Sequence, residues 1–425
     1  MRHIRNFLKK IIPRSLFNKL APSYHFSLAW LGSIVYGSPS KKLKIIGVTG
    51  TKGKSSVTEI MSAVLEEAGY STAVSGTVRF KVGKDSQENM LKQSMPGRFF
   101  LQKFLHRCVK ENIDWVVIEM TSEGAKQFRN RFIYLDALIY TNLEPEHIES
   151  HGSYENYRAA KKSIIVNSLE KSKKKNRALI VNRDDSESGF FLLDSNVEEK
   201  ITYGLDDIKN LKLTQETIDF DLDDDHYHSE LSGEFNAYNL LACITLAKHI
   251  GLADADIQRA VMKFNGVPGR VQRIQAGQDF AVVVDYAHTP QSLEKLYETF
   301  AESKRICVLG NTGGGRDTWK RPKMAEIANR HCSEIILTNE DPYDEDPQKI
   351  IDDMVVGIND TPYQVILDRR KAIAAALAMA KTGDSVLITG KGTDPYIMGP
   401  NNSKLEWSDA RVAREELEAL LKKKV

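Results

Sequence analysis

The chain has 425 residues, of which 41% are hydrophobic, and a formal net charge of +2. This length predicts two or three domains with substantial cores. The near-neutral charge argues against a nucleic-acid binder, and no apolar run reaches the roughly 20 residues of a membrane span. The four cysteines, Cys108, Cys243, Cys307 and Cys332, are dispersed. This spacing favours reduced, buried thiols of a cytoplasmic protein over disulfides or a zinc site.

The N-terminal segment is strongly basic, with eleven lysines or arginines and no acidic residue before Glu59. Apolar residues such as Phe7, Ile11, Phe17 and Trp30 are interleaved with these charges. One interpretation is that residues 1–40 contact an anionic membrane surface, which would make the protein peripheral at the inner membrane face. The second is an arm packed on the protein body with its lysines in water. The third, a secretory signal, lacks a clear small-residue cleavage site.

The next element is a strand predicted for 44–48, which runs into a glycine-rich turn and then a helical pattern. The turn contains the phosphate-binding candidates Gly50, Thr51, Lys52, Gly53, Lys54, Ser55 and Ser56. In such a layout, backbone N–H groups and the helix start cradle phosphate oxygens. Lys54 would reach the terminal phosphates, and the Ser55 hydroxyl would hold Mg²⁺. The strict G-x-x-x-x-G-K-[ST] spacing is not met, because Gly47 stands six residues before Gly53. The pattern therefore predicts a variant phosphate loop, with an ordinary strand-to-helix turn as the alternative.

Strands and helices alternate through the rest of the chain, which predicts an α/β fold with parallel sheets. The predicted strands are 73–80, 115–119, 137–140, 178–181, 280–284, 305–309, 334–337 and 385–388. The predicted helices are 99–111, 235–250, 370–381 and 413–424, and the polar residues 206–232 are predicted to form a surface excursion. Three of these strands end in polar residues, and ligands bind at the carboxyl ends of parallel strands. The predicted domains are a basic amphipathic arm at 1–42, an ATP-binding domain at 43–265 and a second domain at 266–425.

Three polar features follow these strands. Glu119 ends a buried strand, where its carboxylate suits a metal ion or a helix cap. His147 and His151 lie among acidic residues, as expected for a metal site or a surface loop. Lys161 lies on a predicted helix, where a lone lysine is most often solvated. Each feature alone leaves both interpretations open.

In this order, the motifs resemble those of the Mur ligase family, whose members use ATP to add amino acids to a cell-wall precursor. The resemblance covers about residues 43–400, and the branch that adds the third amino acid is the most similar in its motifs. The matching segments are 49–56, 141–152, 233–239, 266–270, 285–290, 313–322 and 390–392. The resemblance implies a P-loop ATPase domain followed by a Rossmann-like ligase domain that binds the amino acid.

The resemblance also implies roles for individual residues. Lys54 would bind the β- and γ-phosphates, and Ser55 with Glu119 would hold one Mg²⁺. His147 would help to hold a second Mg²⁺, supported by Lys161 as a carbamate formed with CO₂. The nucleotide contacts would be Asn239 for the adenine, Arg270 for the phosphates and Asp285 for the ribose. The substrate contacts would be Thr121, Arg129, His288, Arg316, Asp317, Lys320, Asp341 and Lys391.

The implied function is an ATP-dependent ligase that joins an amino acid to a carboxylate acceptor, a peptidoglycan precursor, through an acyl phosphate. Two alternatives are a related ligase with a folylpolyglutamate-like or cyanophycin-like acceptor and a non-catalytic nucleotide-binding scaffold. Three departures bear on the substrates. The segment ahead of the loop is too short for the family's UDP-binding domain, so that domain is expected to be absent and the acceptor altered or lipid-linked. The family's D-N-P-R reads Glu340-Asp341-Pro342-Tyr343, and G-K-G-H-E ends in Thr393-Asp394.

Overall fold

The computed structural model describes residues 14–146, 148–193, 195–315 and 317–424. The predictions for His147, Arg316 and the first 13 residues therefore lie outside the described residues. The chain divides into two compact units. The first contains the described residues up to Asp207 together with Tyr238–Ala260, and the second contains Ile208–Ala237 and the described residues from Val261 onward.

An eight-stranded sheet forms the centre of the first unit, in the order β4-β3-β2-β5-β1-β6-β7-β8. Its strands are β1 (Lys44–Thr49), β2 (Thr72–Ser75), β3 (Arg79–Val82), β4 (Asp85–Glu88), β5 (Trp115–Glu119), β6 (Ala137–Tyr140), β7 (Ala178–Asn182) and β8 (Glu199–Tyr203). The neighbouring strands in the series β2-β5-β1-β6-β7-β8 are parallel. At one edge of the sheet, the pairs β2–β3 and β3–β4 are antiparallel. The parallel sheet predicted from the apolar strands is thus confirmed.

The helices of the first unit connect these strands. They are α1 (Arg14–Val35), α2 (Lys54–Glu67), α3 (Arg98–Lys110), α4 (Ser122–Lys126), α5 (Ile148–His151), α6 (Tyr154–Ile164), α7 (Ser188–Leu193), α8 (Glu234–His249) and α9 (Asp254–Lys263). Of these, α8 begins in the second unit and α9 continues into it. A π-helical segment, Ile165–Glu170, extends α6.

The prediction of a single strand at 73–80 is wrong, because this segment forms the antiparallel pair β2 and β3. The chain turns at Gly76, which lies against a neighbouring strand. A Cβ atom at Gly76 would lie 2.6 Å from Glu119 Oε1. The residues of this turn, Ser75-Gly76-Thr77, include a Ser-Gly pair, which is a turn signal that the prediction did not weigh.

The second unit contains a mainly parallel six-stranded sheet in the order β12-β13-β17-β14-β15-β16, with β12 antiparallel. Its strands are β12 (Gln272–Arg273), β13 (Ala281–Val284), β14 (Arg305–Leu309), β15 (Glu334–Leu337), β16 (Tyr363–Val365) and β17 (Ser385–Ile388). The helices are α10 (Pro290–Thr299), α11 (Lys320–His331), α12 (Pro347–Val355), α13 (Arg369–Met379) and α14 (Asp409–Lys424). A short hairpin pairs β18 (Tyr396–Met398) with β19 (Lys404–Glu406).

The polar segment at 206–232 contains a small antiparallel sheet of β9 (Ile208–Leu213), β10 (Ile218–Leu222) and β11 (Asp225–Ser229). In β10, Ile218, Phe220 and Leu222 are buried and alternate with two aspartates. This two-residue period is the sequence signal for a half-buried strand, and the prediction of a surface excursion did not include it.

Two of the four cysteines correct the prediction of unpaired thiols, because Cys307 and Cys332 form a disulfide. Cys307 lies in β14, and Cys332 follows α11 directly ahead of β15. Since β14 and β15 are neighbours, the crossover through α11 brings together two residues that are 25 positions apart. Cys108 and Cys243 are free and buried.

None of the helices in the described ranges combines the length and the apolar character that crossing a bilayer requires.

Candidate active site

The glycine-rich turn between β1 and α2 has the backbone of a phosphate-binding loop. Gly50 and Gly53 have φ values of 150° and 82°, which side chains rarely allow. A Cβ atom at Gly50 would clash with Thr141 Oγ1, and one at Gly53 would clash with Asn239 Oδ1. The loop therefore needs glycine at both positions, since it lies directly against the residues after β6 and in α8.

Hydrogen bonds fix this loop to the segment that follows β6. Asn142 accepts from the Thr51 N–H through its main-chain oxygen at 2.9 Å and from the Lys52 N–H through Oδ1 at 2.8 Å. The Thr141 hydroxyl donates to the Lys52 carbonyl at 2.6 Å. Thr51 Oγ1 lies 2.8 Å from the Tyr157 hydroxyl. These bonds hold the loop against the segment after β6.

Three lysines surround the loop. Lys54 Nζ donates to the Thr51 carbonyl at 2.8 Å and to the Gly50 carbonyl at 3.1 Å. Lys161 Nζ, which is buried, donates to the same Gly50 carbonyl at 2.5 Å. Lys52 Nζ pairs with Glu146 at 3.1 Å. Burial, followed by the charge of Lys54, lowers the pKa of Lys161 well below its usual value. This concentration of positive charge suits a polyanion such as a nucleotide triphosphate.

Glu119 lies beside the loop at the end of β5. In the sheet, Glu119 is paired with Val48 of β1, one position before that strand ends. The carboxylate is 1% exposed and accepts two hydrogen bonds from Thr77, at 2.7 Å from the N–H and at 2.8 Å from the hydroxyl. The carboxylate is therefore held in one orientation at the loop edge. Sequence reasoning missed Thr77, because its role depends on a contact between residues 42 positions apart.

The histidine segment after β6 is described only in part, because His147 lies outside the described residues. His151 is described and buried, and its Nε2 atom has no hydrogen-bond partner in the described part of the chain. Its ring contacts the ring of Tyr157 at 5.4 Å between centroids. Burial, then the charge of Lys126, lowers the pKa of His151 and favours the neutral imidazole. Within the described ranges, no group of three or more His, Cys, Asp or Glu residues forms a ready metal site.

The two predicted substrate residues after β5 differ in their surroundings. Thr121 caps α4, since its hydroxyl accepts from the Gly124 N–H at 3.0 Å. Arg129 donates to the side-chain oxygens of Gln127 at 2.8 Å and Gln93 at 3.2 Å. The Arg129 guanidinium is thus oriented in part by two neutral side chains.

A second cluster lies at the carboxyl edge of the sheet in the second unit. Arg270 stacks on the Tyr286 ring at 4.2 Å, and His288 Nδ1 lies 2.7 Å from the Tyr286 carbonyl. Asp285 accepts from the N–H groups of Val271 at 2.8 Å and Ala287 at 2.6 Å. The structure therefore brings the predicted residues Arg270, Asp285 and His288 together.

The other predicted residues of this unit follow β14, β15 and β17. Lys391 is fully buried and pairs with Asp341 at 2.7 Å and with Asp394 at 3.5 Å. Glu340 is also buried: Oε1 accepts from the Thr312 hydroxyl at 2.8 Å, whereas Oε2 has no hydrogen-bond partner among the described residues. Asp317 and Lys320 lie at the start of α11, where the Lys320 N–H donates to the Asp317 carbonyl at 3.0 Å.

Comparisons with known proteins show the family to which the chain belongs. Residues 48–247 match the Mur ligase middle domain, and residues 269–392 match the Mur ligase glutamate ligase domain. The chain is 36% identical over 416 residues to UDP-N-acetylmuramoyl-L-alanyl-D-glutamate–2,6-diaminopimelate ligase of Syntrophomonas wolfei, covering 94% of this chain and 83% of that protein. The ligase of the same name from Bacillus cereus is 35% identical, with 92% and 81% covered.

Solved structures give the same likeness in three dimensions. A structure of a UDP-N-acetylmuramoyl-L-alanyl-D-glutamate–2,6-diaminopimelate ligase superposes with a TM-score of 0.61 at 29% identity, covering 89% of this chain and 78% of that chain. Mycobacterium tuberculosis folylpolyglutamate synthase complexed with ADP has a TM-score of 0.68 at 15% identity, with 86% and 92% covered. At that identity, the second likeness concerns the fold alone.

Proposed function

Since the chain belongs to the Mur ligase family and is an ATP-dependent ligase that joins an amino acid to a carboxylate acceptor in peptidoglycan synthesis, we propose that its reaction takes place at the loop formed by residues 50–56. The observation that carries this proposal is the convergence of Lys54 and Lys161 on the Gly50 carbonyl, with Glu119 at the adjacent strand end. In this proposal, ATP binds with its phosphates on the loop N–H groups and Lys54. Asn239 lies by the adenine, and Arg270 and Asp285 contact the phosphates and ribose.

Mur ligases use ATP with Mg²⁺, and the residues present fit this ion. The Ser55 hydroxyl and the Glu119 carboxylate are the hard oxygen ligands that Mg²⁺ prefers. When bound, Mg²⁺ supplies charge neutralisation at the phosphates. Thr77 orients the carboxylate of Glu119, and the lysines around the loop offset the charge of the polyphosphate.

The chemistry has two steps. An oxygen of the acceptor carboxylate attacks the γ-phosphorus, and the bond from that phosphorus to the β–γ bridging oxygen breaks. ADP leaves with the bridging oxygen, and the acceptor becomes an acyl phosphate. The amine of the amino acid then attacks the acyl carbon. The tetrahedral intermediate loses phosphate, and the nitrogen loses a proton, which gives the amide. Lys54 is proposed to hold the γ-phosphoryl group during the first step.

Lys161 is proposed to act as a carbamate. Its neutral amine would add to CO₂ and release a proton. The product would be an anionic carbamate beside the Lys54 cation. Burial and the neighbouring Lys54 lower the pKa of the amine and thereby favour the neutral form that this addition needs. The carbamate, with His147, would support a second Mg²⁺.

The second unit is proposed to receive the amino acid, with His288, Arg316, Asp317, Lys320, Asp341 and Lys391 as contacts. Tyr343 stands where the family has the arginine that grips the diaminopimelate carboxylate. Selection of diaminopimelate in the family's usual way is therefore not expected. Glu340 Oε2, buried without a donor among the described residues, suits an ammonium group of the incoming amino acid.

The N-terminal segment is proposed to contact an anionic membrane surface on the cytoplasmic side, with the acceptor altered or lipid-linked. Between positions 20 and 35, α1 contains no Asp, Glu, Lys or Arg. Its large apolar side chains that are 44–60% exposed are Leu20, Tyr24, Phe26, Trp30, Leu31, Ile34 and Val35. The opposite side, with Ala29 and Ser33, is buried. The helix α3, on which Gly32 packs, carries basic residues and no acidic ones. Apolar exposure beside positive charge suits anionic lipid.

Sedimentation with phosphatidylglycerol and phosphatidylcholine vesicles tests this contact. We expect binding to the anionic vesicles that falls with salt and is lost in Trp30→Ser/Leu31→Ser. Leu193→Ser is the matched control, because Leu193 is 82% exposed elsewhere in the same unit. Equal loss in both variants, or no binding by the wild type, contradicts the contact.

Phosphate release from ATP tests the ligase function. The assay combines a panel of amino acids with UDP-N-acetylmuramoyl-L-alanyl-D-glutamate, a lipid-linked muramyl dipeptide or a folate as acceptor. We expect release that requires both an amino acid and a muramyl acceptor and that is absent in Lys54→Ala. Turnover with folate alone would indicate a folylpolyglutamate-like ligase. Failure with every acceptor would indicate a non-catalytic scaffold.

A further inference from the structure

The side chain of Arg369, the first residue of α13, is buried in the second unit at 2% exposure. Arginine is rarely buried unless it is paired. Its Nε and Nη2 atoms donate to the two carboxylate oxygens of Asp409 at 2.8 and 2.6 Å. Asp409, the first residue of α14, is also fully buried. Since a hydrophobic pair of similar size often stabilises a fold at least as well, stability alone does not explain this ion pair.

The other hydrogen bonds of the Arg369 guanidinium go to the main chain at two strand ends. Nη2 donates to the Thr389 carbonyl at 2.7 Å, and Nη1 donates to the Asn339 carbonyl at 3.3 Å. Thr389 directly follows β17, and Asn339 is the second residue after β15. In the sheet, β14 lies between these two strands. One side chain therefore joins two strand ends that are not neighbours.

The two carbonyls have equivalent positions ahead of two proposed contacts of the amino acid. Asn339 lies two residues before Asp341, and Thr389 lies two residues before Lys391. Asp341 and Lys391 are in turn paired with each other at 2.7 Å. Arg369 thus holds the backbone next to both members of this buried pair.

The charge of Arg369 also acts on this part of the site. Burial opposes a positive charge at this position, but Asp409 and, after it, Glu340 and Asp341 raise the pKa of Arg369. Glu340 Oε2 is the buried oxygen that has no hydrogen-bond partner among the described residues. A fixed cation near two neighbouring carboxylates offsets part of the repulsion between them.

Asp409 has a second partner that orients it. Trp407 Nε1 donates to Asp409 Oδ1 at 2.7 Å, and the same oxygen accepts from Arg369 Nε. Trp407 and Asp409 lie after the last motif that the sequence singled out, at 390–392. The C-terminal segment is therefore connected to the strand ends through Arg369.

We propose that Arg369 is a positioning residue of the amino-acid site and that Asp409 and Trp407 hold it in place. By fixing the main chain after β15 and β17, Arg369 sets the separation of Asp341 and Lys391. This inference rests on the function proposed for the second unit. Arg369 acts through these two residues and is not itself a catalytic residue.

Steady-state kinetics of Arg369→Met, Arg369→Lys and Trp407→Phe test this role, with an amino acid that supports phosphate release by the wild type. Displaced binding groups predict an increase in the KM for the amino acid of up to about 100-fold in Arg369→Met. The KM values for ATP and the acceptor should not change. Lysine keeps the charge but lacks the planar fork, so Arg369→Lys should recover only part of the loss. Trp407→Phe removes one hydrogen bond and predicts an increase of up to about tenfold.

Arg370→Gln is the matched control, because Arg370 joins α13 to the same helix α14 through Glu415 and Glu416 at the surface. It should leave every KM unchanged. Urea unfolding of all variants identifies a purely structural role. Such a role would lower the midpoint of unfolding while the folded variants keep the wild-type KM for the amino acid, and this result overturns the proposal. If Arg369→Met does not fold, the KM of Trp407→Phe decides in the same way.

Crystal structures separate this inference from the proposed function. In Arg369→Lys and Trp407→Phe, we expect the main chain at Asp341 and Lys391 to shift and their 2.7 Å contact to lengthen. This shift supports the positioning role even if the wild type shows no turnover with any acceptor, a result that would contradict the ligase function alone. Unchanged positions in both variants overturn the inference, and turnover by the wild type would then leave the ligase function intact.

Discussion

Lys161 in the first unit and Lys391 in the second are both buried, at 2% and 0% exposure, but their partners differ. Lys391 lies between two carboxylates, at 2.7 Å from Asp341 and 3.5 Å from Asp394. Lys161 donates to a main-chain carbonyl at 2.5 Å, and Lys54 is the strongest charge acting on it. The same residue type is therefore neutralised by an ion pair in one unit and left beside another cation in the other.

This difference separates a lysine that is held as a cation by carboxylates from one whose amine favours the neutral form. A buried charge is tolerated when an opposite charge lies next to it. Without sufficient compensation, burial favours the neutral amine, which is a nucleophile. The contrast thus predicts that changes at Lys161 mainly affect chemistry. Changes at Lys391 should also lower stability, in addition to any loss of the amino-acid contact proposed for it.

The largest effect is expected for Lys161→Ala. Removal of the proposed carbamate should lower kcat by about 10²- to 10³-fold, the scale for loss of one electrostatic group at a reacting centre. The free energy of unfolding should fall less than when a buried ion pair is broken, because no described carboxylate pairs with this amine. The checks are phosphate release and urea unfolding. Lys161→Glu, which restores a negative charge, is the companion variant. A kcat close to that of the wild type in Lys161→Ala would contradict the proposed role.

Lys391→Met should instead destabilise the protein. It leaves Asp341 buried without its cation, and breaking a buried ion pair costs about 3–5 kcal/mol of unfolding free energy. Urea unfolding measures this loss. The double variant Lys391→Met/Asp341→Asn should recover part of it, because the carboxylate nearest to Lys391 no longer carries a charge. An equally unstable Lys161→Ala would remove the contrast between the two lysines.

The CO₂ dependence of activity sharpens the comparison further. We expect activity to fall several-fold after CO₂ is removed and to return with bicarbonate. The recovery should be greater at higher pH, because a carbamate forms from the neutral amine. ¹³C NMR with labelled bicarbonate should show a carbamate signal in wild type and in Lys391→Met but not in Lys161→Ala. A signal that persists in Lys161→Ala would assign the carbamate to another lysine.

The lowered pKa of Lys161 also has a consequence for stability in CO₂-free buffer. Its folded-state pKa lies below the usual value of about 10.5 in the unfolded chain. Between these two values the unfolded chain binds more protons, so the contribution of Lys161 to stability rises with pH. We expect the wild type to gain more stability than Lys161→Ala as pH rises through this window, as measured by urea unfolding. Equal pH dependence would contradict the lowered pKa.

The sequence predicted the parts of the site that depend on local order. The spacing of Gly50, Gly53 and Lys54 identified the loop, and the polar ends of apolar strands identified Glu119. The resemblance was needed to connect Lys161 with them, because a lone lysine carries no signal. Thr77 was not predicted, since its role comes from a contact with Glu119, 42 residues away. The Cys307–Cys332 disulfide was missed for the same reason.

The smallest effect is expected for Thr77→Val. This variant tests how much the orientation of the Glu119 carboxylate contributes to the reaction in the first unit. The variant keeps the side-chain shape and the N–H bond to Oε1 but loses the hydroxyl bond to Oε2. One lost hydrogen bond predicts a change of about 0.5–1.5 kcal/mol, or up to about tenfold in kcat. Thr77→Ser keeps the hydroxyl and should behave like the wild type. Because Thr77 also contacts Ser94, the acceptor KM is measured in parallel. A change in that KM with kcat unchanged would mean that Thr77 acts in acceptor binding and does not act through the Glu119 carboxylate.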